Sequence, residues 1–141
     1  METLFKLTKI GEVYSINAKT VVCNVTYKVT INDSFQAPMV TAIEDIVRRI
    51  LKKYHKCDKN LILNITSSAT CSEKDDWDES VGKKIAHSKN ELTAYKIMGN
   101  VNAKLSDYLA NLCMMSVNTG DRFSNIRDKE VLYQANLGKI C

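Results

Sequence analysis

The sequence predicts an α+β fold: a small antiparallel sheet in the order β-β-α-β, packed by helices, with a long C-terminal helix or helix pair. Three observations carry this. From Thr20 to Ile31 one face is continuously apolar and the other, Val22 apart, is polar. Two later segments repeat apolar residues at helical spacing, and between Thr66 and Met98 a strand runs through an acidic turn into a helix.

Leu4 to Ile16 reads as the first strand, with Gly11 as a bulge, and the short link Asn17-Ala-Lys19 closes a hairpin. In the second strand Val21, Cys23, Val25, Tyr27, Val29 and Ile31 share one apolar face, which marks a half-buried sheet. Asn32-Asp-Ser34 ends it, and Pro38, the sole proline, suits a first helical turn because its missing N–H is unneeded there. Val40, Ile43, Ile46, Val47, Ile50 and Tyr54 then recur at helical spacing. Leu61 to Cys71 is the third strand, and its small residues after Ile65 invite close approach by a helix.

The acidic stretch Glu73 to Glu79 follows, in which Asp75, Asp76 or Asp78 can cap the next helix. Val81, Ile85, Ser88, Leu92 and Tyr95 step along that helix, and Met98, Val101, Leu105, Tyr108, Leu112 and Met115 continue it. The spacing slips at Gly99-Asn100, where a kink or break is expected, and Asn118-Thr-Gly120 reads as a stop. The expected organisation is one domain over 1–141, with the sheet and one helix in 1–72, a long helix over 75–117 broken near 99, and a docking C-terminal helix over 122–137. A stripe this long outruns one small sheet, so Met98, Val101, Leu105, Tyr108, Leu112 and Met115 are expected to meet another helix, the C-terminal one or that of a second copy.

Hydrophobic content of 45% and charged content of 26% over 141 residues suit a chain that buries a core of its own. A net charge of +4 is compatible with an anionic partner without requiring one. No leader-like start and no apolar run of membrane length is present, so a cytoplasmic protein with no membrane partner is expected. The five scattered cysteines form no C-x-x-C pair, which argues against a metal site and predicts Cys23, Cys71 and Cys113 as small buried residues.

No constellation for catalysis is present, and neither an enzymatic role nor a cofactor is expected. The carboxylates at Asp75, Asp76, Asp78 and Glu79 lack calcium-loop spacing and a nearby histidine, so capping accounts for them. Gly82-Lys83-Lys84 lacks the rest of a phosphate loop, yet Lys83 and Lys84 can still hold phosphates as side chains. Trp77, the only tryptophan, can stack on a planar ligand or staple the helix start. Arg48, Arg49, Lys52 and Lys53 form the densest cation group, which Lys89, Lys96 and Lys104 extend if the helices lie side by side.

The segment from Ala69 to Ala86, Ala-Thr-Cys-Ser-Glu-Lys-Asp-Asp-Trp-Asp-Glu-Ser-Val-Gly-Lys-Lys-Ile-Ala, resembles small accessory proteins of phages and prophages. Among these, a sheet followed by long C-terminal helices is similar to the Thoeris anti-defence proteins. That resemblance implies a non-enzymatic homo-oligomer that sequesters a cyclic nucleotide signal of host immunity, with an aromatic on the base and cations on the phosphates. Trp77 would be the aromatic, and Lys83, Lys84 or the group from Arg48 to Lys53 the cations. The arginines which that family carries on the distal helix would be expected here, where Lys96 and Lys104 stand. Two other readings are open: an anti-CRISPR type inhibitor that contacts a Cas nuclease, or a small DNA- or RNA-binding protein.

Overall fold

In the computed structural model, which describes residues 2–57, 60–72 and 76–140, three strands and two helices follow one another. They are β1 (Phe5–Asn17), β2 (Thr20–Ile31), α1 (Ala37–His55), β3 (Ile62–Thr70) and α2 (Glu79–Ile140). The strands form one antiparallel sheet in the order β1-β2-β3, so the α+β class and the element order are those the sequence predicts. A two-residue turn with Ala18 at φ 52° joins β1 to β2, from Phe5 opposite Ile31 to Asn17 opposite Thr20. The bulge falls between Lys9 and Gly11.

One face of the sheet carries the core. Val21, Cys23 and Val25 are 0% exposed, and Tyr27, Val29 and Ile31 are also buried, as the alternation predicts. From β3 and its approach, Leu61, Leu63, Ile65 and Ala69 join them. α1 contributes Ile43, Val47, Ile50 and Leu51, with Pro38 in its first turn and Lys56 closing it in a left-handed conformation. The opposite face of the sheet is polar and laced by cross-strand hydrogen bonds. Thr20 meets Thr70 at 3.1 Å, Asn24 donates to Thr66 at 3.0 Å, and Thr26 donates to Asn64 at 2.7 Å.

α2 begins as expected and then departs from its predicted face. The Asp78 carboxylate accepts hydrogen bonds from the backbone N–H groups of Ser80 (3.0 Å) and Val81 (3.2 Å), which caps the helix. Glu73 to Asp75, including the candidate cap Asp75, lie outside the described residues. The stripe against the core is Gly82, Ala86, Asn90, Ala94, Met98, Val101 and Leu105, whereas Val81, Ile85, Leu92 and Tyr95 are 45 to 65% exposed. Over residues 82–94 the buried face is therefore turned by about 160°, nearly half a turn, from the expected one, while Met98, Val101 and Leu105 lie on the stripe expected of them.

Small side chains explain the turn. A Cβ at Gly82 would lie 2.9 Å from Cγ2 of Val21 and 3.3 Å from the Trp77 ring, so only glycine admits this approach. The Ser67 hydroxyl donates to the Ala86 carbonyl at 2.6 Å, which requires the α2 backbone to sit directly on β3. Asn90, 0% exposed, donates from Nδ2 to the carbonyls of Ile65 (2.7 Å) and Cys23 (3.3 Å) and accepts from the Tyr27 hydroxyl at 2.8 Å. A buried amide is tolerated because these partners replace its water.

Helix α2 runs for 62 residues, so neither the break near Gly99 nor a separate helix over 122–137 is present. A glycine inside a helix costs only about 1 kcal/mol relative to alanine. Met98 and Val101, both buried, hold the backbone on either side of Gly99. At the expected stop, the Thr119 hydroxyl donates to the Met115 carbonyl at 2.8 Å, a bond made within the helix. In the segment 122–137, expected to dock as a separate helix, Phe123, Ile126, Val131 and Leu132 are 46 to 66% exposed. The chain divides into two compact units, Met1–Leu105 and Ser106–Cys141. No helix among the described residues is long and apolar enough to cross a membrane.

Candidate anion-binding site

The bulge in β1 determines which side chains meet α2. In a regular strand Lys9 and Glu12, three residues apart, would point to opposite faces. The extra residue between Lys9 and Gly11 inverts the parity, so Lys9, Glu12 and Tyr14 share the helix-facing side, paired with Tyr27, Val25 and Cys23. α2 brings Lys83, Lys84 and His87 to the same place. Together these six side chains line a shallow cavity of about 330 Å³.

Charge in the cavity is organised around Glu12. Its carboxylate accepts hydrogen bonds from Lys9 Nζ (2.8 Å) and from the Tyr14 hydroxyl, and it meets Nδ1 of His87 at 2.9 Å. The Lys9 bond, followed by that from Tyr14, lowers the Glu12 pKa to about 2. The same contacts raise the pKa values of Lys9 and of Tyr14, the latter chiefly through its bond to the carboxylate. His87 is also bound on its other side, with Nε2 3.0 Å from Glu91. Lys83 is 3.3 Å from Glu79 and 5.7 Å from the centre of the Tyr14 ring, while Lys84 has no ion-pair partner among the described residues.

Glu12 supplies a pH prediction. Its folded pKa is depressed, so its contribution to stability is present above the ordinary carboxylate range near 4.5 and lost as pH falls towards 2. Denaturation of the wild type and of Glu12→Gln across pH should show a wild-type advantage at pH 7 that shrinks below pH 4.5. A constant difference down to pH 2 would mean that Glu12 is not held by these bonds.

Glu12, Cys23 and His87 also place one possible metal-ligand atom each within 4.8 Å of one another. They do not suit a cation. The ammonium of Lys9 is already bonded to the carboxylate, and burial pushes the Cys23 thiol pKa up, away from the thiolate a metal would need. A carboxylate ionised down to about pH 2 is also a poor proton donor or acceptor near neutrality. The remaining capacity is at the rim, where Lys83, Lys84 and Lys9 offer ammonium donors beside an aromatic ring.

The residues singled out in the sequence do not form one site. Lys83 and Lys84 line the cavity just described, but Trp77 is half-buried in another, an apolar pocket of about 360 Å³ with Ala69, Cys71, Val81, Gly82 and Ile85. Asp76 and Asp78 also line that pocket, so it is unsuited to phosphate. On α1, Arg48 is held by Asp45 at 2.6 Å, while Arg49 and Lys52 are exposed away from either pocket. Lys53 and Lys104 do come together, with the Tyr54 ring 5.2 and 3.9 Å from their ammonium groups. Of the expected interface residues, Met98, Val101 and Leu105 belong to the core, at most 7% exposed, and only Tyr108, Leu112 and Met115 are exposed. Cys113, expected buried, is exposed as well. Lys9, Glu12, Tyr14 and His87 were not singled out in the sequence. Their signal is the bulge at Gly11, which acts through strand parity, and the rotation of α2, which turns Lys83 and His87 toward β1. Comparison with protein-family models, curated proteins and solved structures found no match to this chain.

Proposed function

We propose that the protein is a non-enzymatic binder of a phosphate-bearing small ligand, and that it counters host antiviral defence by sequestering a cyclic nucleotide signal. The observation that carries this reading is the gathering of Lys9, Lys83, Lys84 and His87 around Tyr14 in one open cavity. Ammonium groups on a solvent-facing rim attract phosphate oxygens, and a phenol ring offers a base a face to stack on. The resemblance at Ala69 to Ala86 supports the biological half of the proposal. Tyr14 replaces Trp77 as the aromatic, since Trp77 opens onto a different, apolar pocket whose charged lining residues are Asp76 and Asp78.

Thermal unfolding with a panel of cyclic mono- and dinucleotides tests it. At 100-fold excess over Kd, a ligand bound only by the folded state adds about 2.7 kcal/mol, which is a rise of several degrees for a domain of this size. The rise is expected with at least one member and should vanish in Lys83→Glu/Lys84→Glu. If no nucleotide shifts the transition, the reading passes to direct contact with a defence protein such as a nuclease. The exposed stripe Val81, Ile85, Leu92 and Tyr95 favours that second reading, and co-purification with the target would register it.

A further inference from the structure

The pocket at the start of α2 has a chemistry opposite to that of the lysine cavity. It encloses about 360 Å³, and its apolar wall is Ala69, Trp77, Val81, Gly82 and Ile85. Val81 and Ile85 are 48 and 45% exposed, so branched apolar side chains stand open to water at its mouth. The half-buried indole is backed by the helix itself. Its six-membered ring comes within 3.3 Å of where a Cβ on Gly82 would stand. A ligand with an apolar body would cover this wall and exclude its water.

Charge selects the kind of ligand. Asp76 and Asp78 are the charged residues of the lining, and among the described residues no lysine, arginine or histidine lines the pocket. Neither carboxylate has an ion-pair partner among the described residues. The capping bonds from Ser80 and Val81 both end on Oδ1 of Asp78, which leaves Oδ2 open to a ligand. Lys89, one turn beyond Ile85, donates instead to the Ser68 carbonyl at 3.1 Å. An anion would be repelled by two carboxylates, and a neutral apolar ligand would leave both without a partner. A cation satisfies them, and indole is the side chain whose face attracts a cation best. Methyl groups suit this wall better than N–H donors do, because the Ser72 and Asp76 carbonyls already lie 3.4 and 3.6 Å from the Cys71 thiol.

We propose that this pocket binds a quaternary alkylammonium ion, with its methyl groups against Trp77, Val81 and Ile85 and its charge beside Asp76 and Asp78. The inference is independent of the phosphate reading, since the two cavities share no lining residue.

Titration of the full chain with choline, and with the uncharged alcohol dimethylbutanol in which a carbon stands for the nitrogen, tests it. Trp77 is the only tryptophan, so its fluorescence reports this pocket alone. Choline is expected to give a saturable change, and the alcohol to bind roughly tenfold more weakly. In Asp76→Asn/Asp78→Asn the two probes should bind within about twofold of each other. Asparagine caps a helix as well as aspartate does, so thermal unfolding of that variant should match the wild type. Asp76→Asn alone, which removes no hydrogen bond of its side chain among the described residues, should lose part of the preference for choline. The proposal is overturned if choline gives no saturable change at about 50 mM, or if the wild type binds both probes equally. A preference for choline that survives undiminished in both variants overturns it as well.

Discussion

Replacing Asn90 with leucine is expected to destabilise the fold by about 2–4 kcal/mol, read as a lower urea midpoint with an unchanged slope. Leucine has nearly the shape of asparagine, so the loss isolates polarity from volume. The Tyr27 hydroxyl, 5% exposed, would lose its acceptor, and an unsatisfied buried hydroxyl costs about 1–3 kcal/mol. The Cys23 and Ile65 carbonyls lose a donor but remain in the β2–β3 ladder, so each loss is smaller. Tyr27→Phe in the Asn90→Leu background should recover about 1 kcal/mol, because it removes the stranded donor. If Asn90→Leu leaves the midpoint unchanged, the amide is not what locks α2 to the sheet.

Leu105→Ala is expected to cost about 2–5 kcal/mol of stability, the range for truncating a buried leucine. Leu105 is 0% exposed, at the last turn of α2 within the first compact unit. The result separates two roles for one residue. A core leucine loses stability without changing the mass of the folded species. An interface leucine, as the apolar spacing alone suggests, changes the mass and leaves the folding of residues 2–105 largely intact. The same substitution at Leu112, 45% exposed, should do the reverse.

The candidate site was partly legible. Lys83 and Lys84 could be singled out because lysines after a capped helix start have a known geometry. Their partners Lys9 and Tyr14 could not, because separations of about 70 residues carry no local signal, and His87, one turn along α2, is joined to them only through Glu12 of β1. Glu12 is the clearest instance. It becomes a partner of Lys9 only because one extra residue lies between Lys9 and Gly11, and a bulge has no strong sequence signature beyond its glycine. The basic end of α1 illustrates the converse. Arg48, Arg49, Lys52 and Lys53 stand out in the sequence by density, yet Arg48 is engaged by Asp45 and Lys53 by the neighbouring Tyr54 ring.

By itself the sequence determined the strands, the hairpin, the bulge position, the first helix with its proline and an aspartate cap on the second, all set by interactions within a few residues, while the structure assigns that cap to Asp78. Period-2 alternation also placed the core face of β2, since both faces of a strand are read from one residue to the next. Only the tertiary structure decided which face of α2 meets the sheet. Hydrophobic spacing favoured Val81, Ile85, Leu92 and Tyr95, but close approach favoured Gly82, Ala86, Asn90 and Ala94. Van der Waals contact and buried hydrogen bonds at short range outweighed apolar content, because a large side chain would have held the helix off Val21 and Ser67. That choice leaves an apolar stripe in water on residues 81–95 and brings Lys83 and His87 beside the bulge in β1.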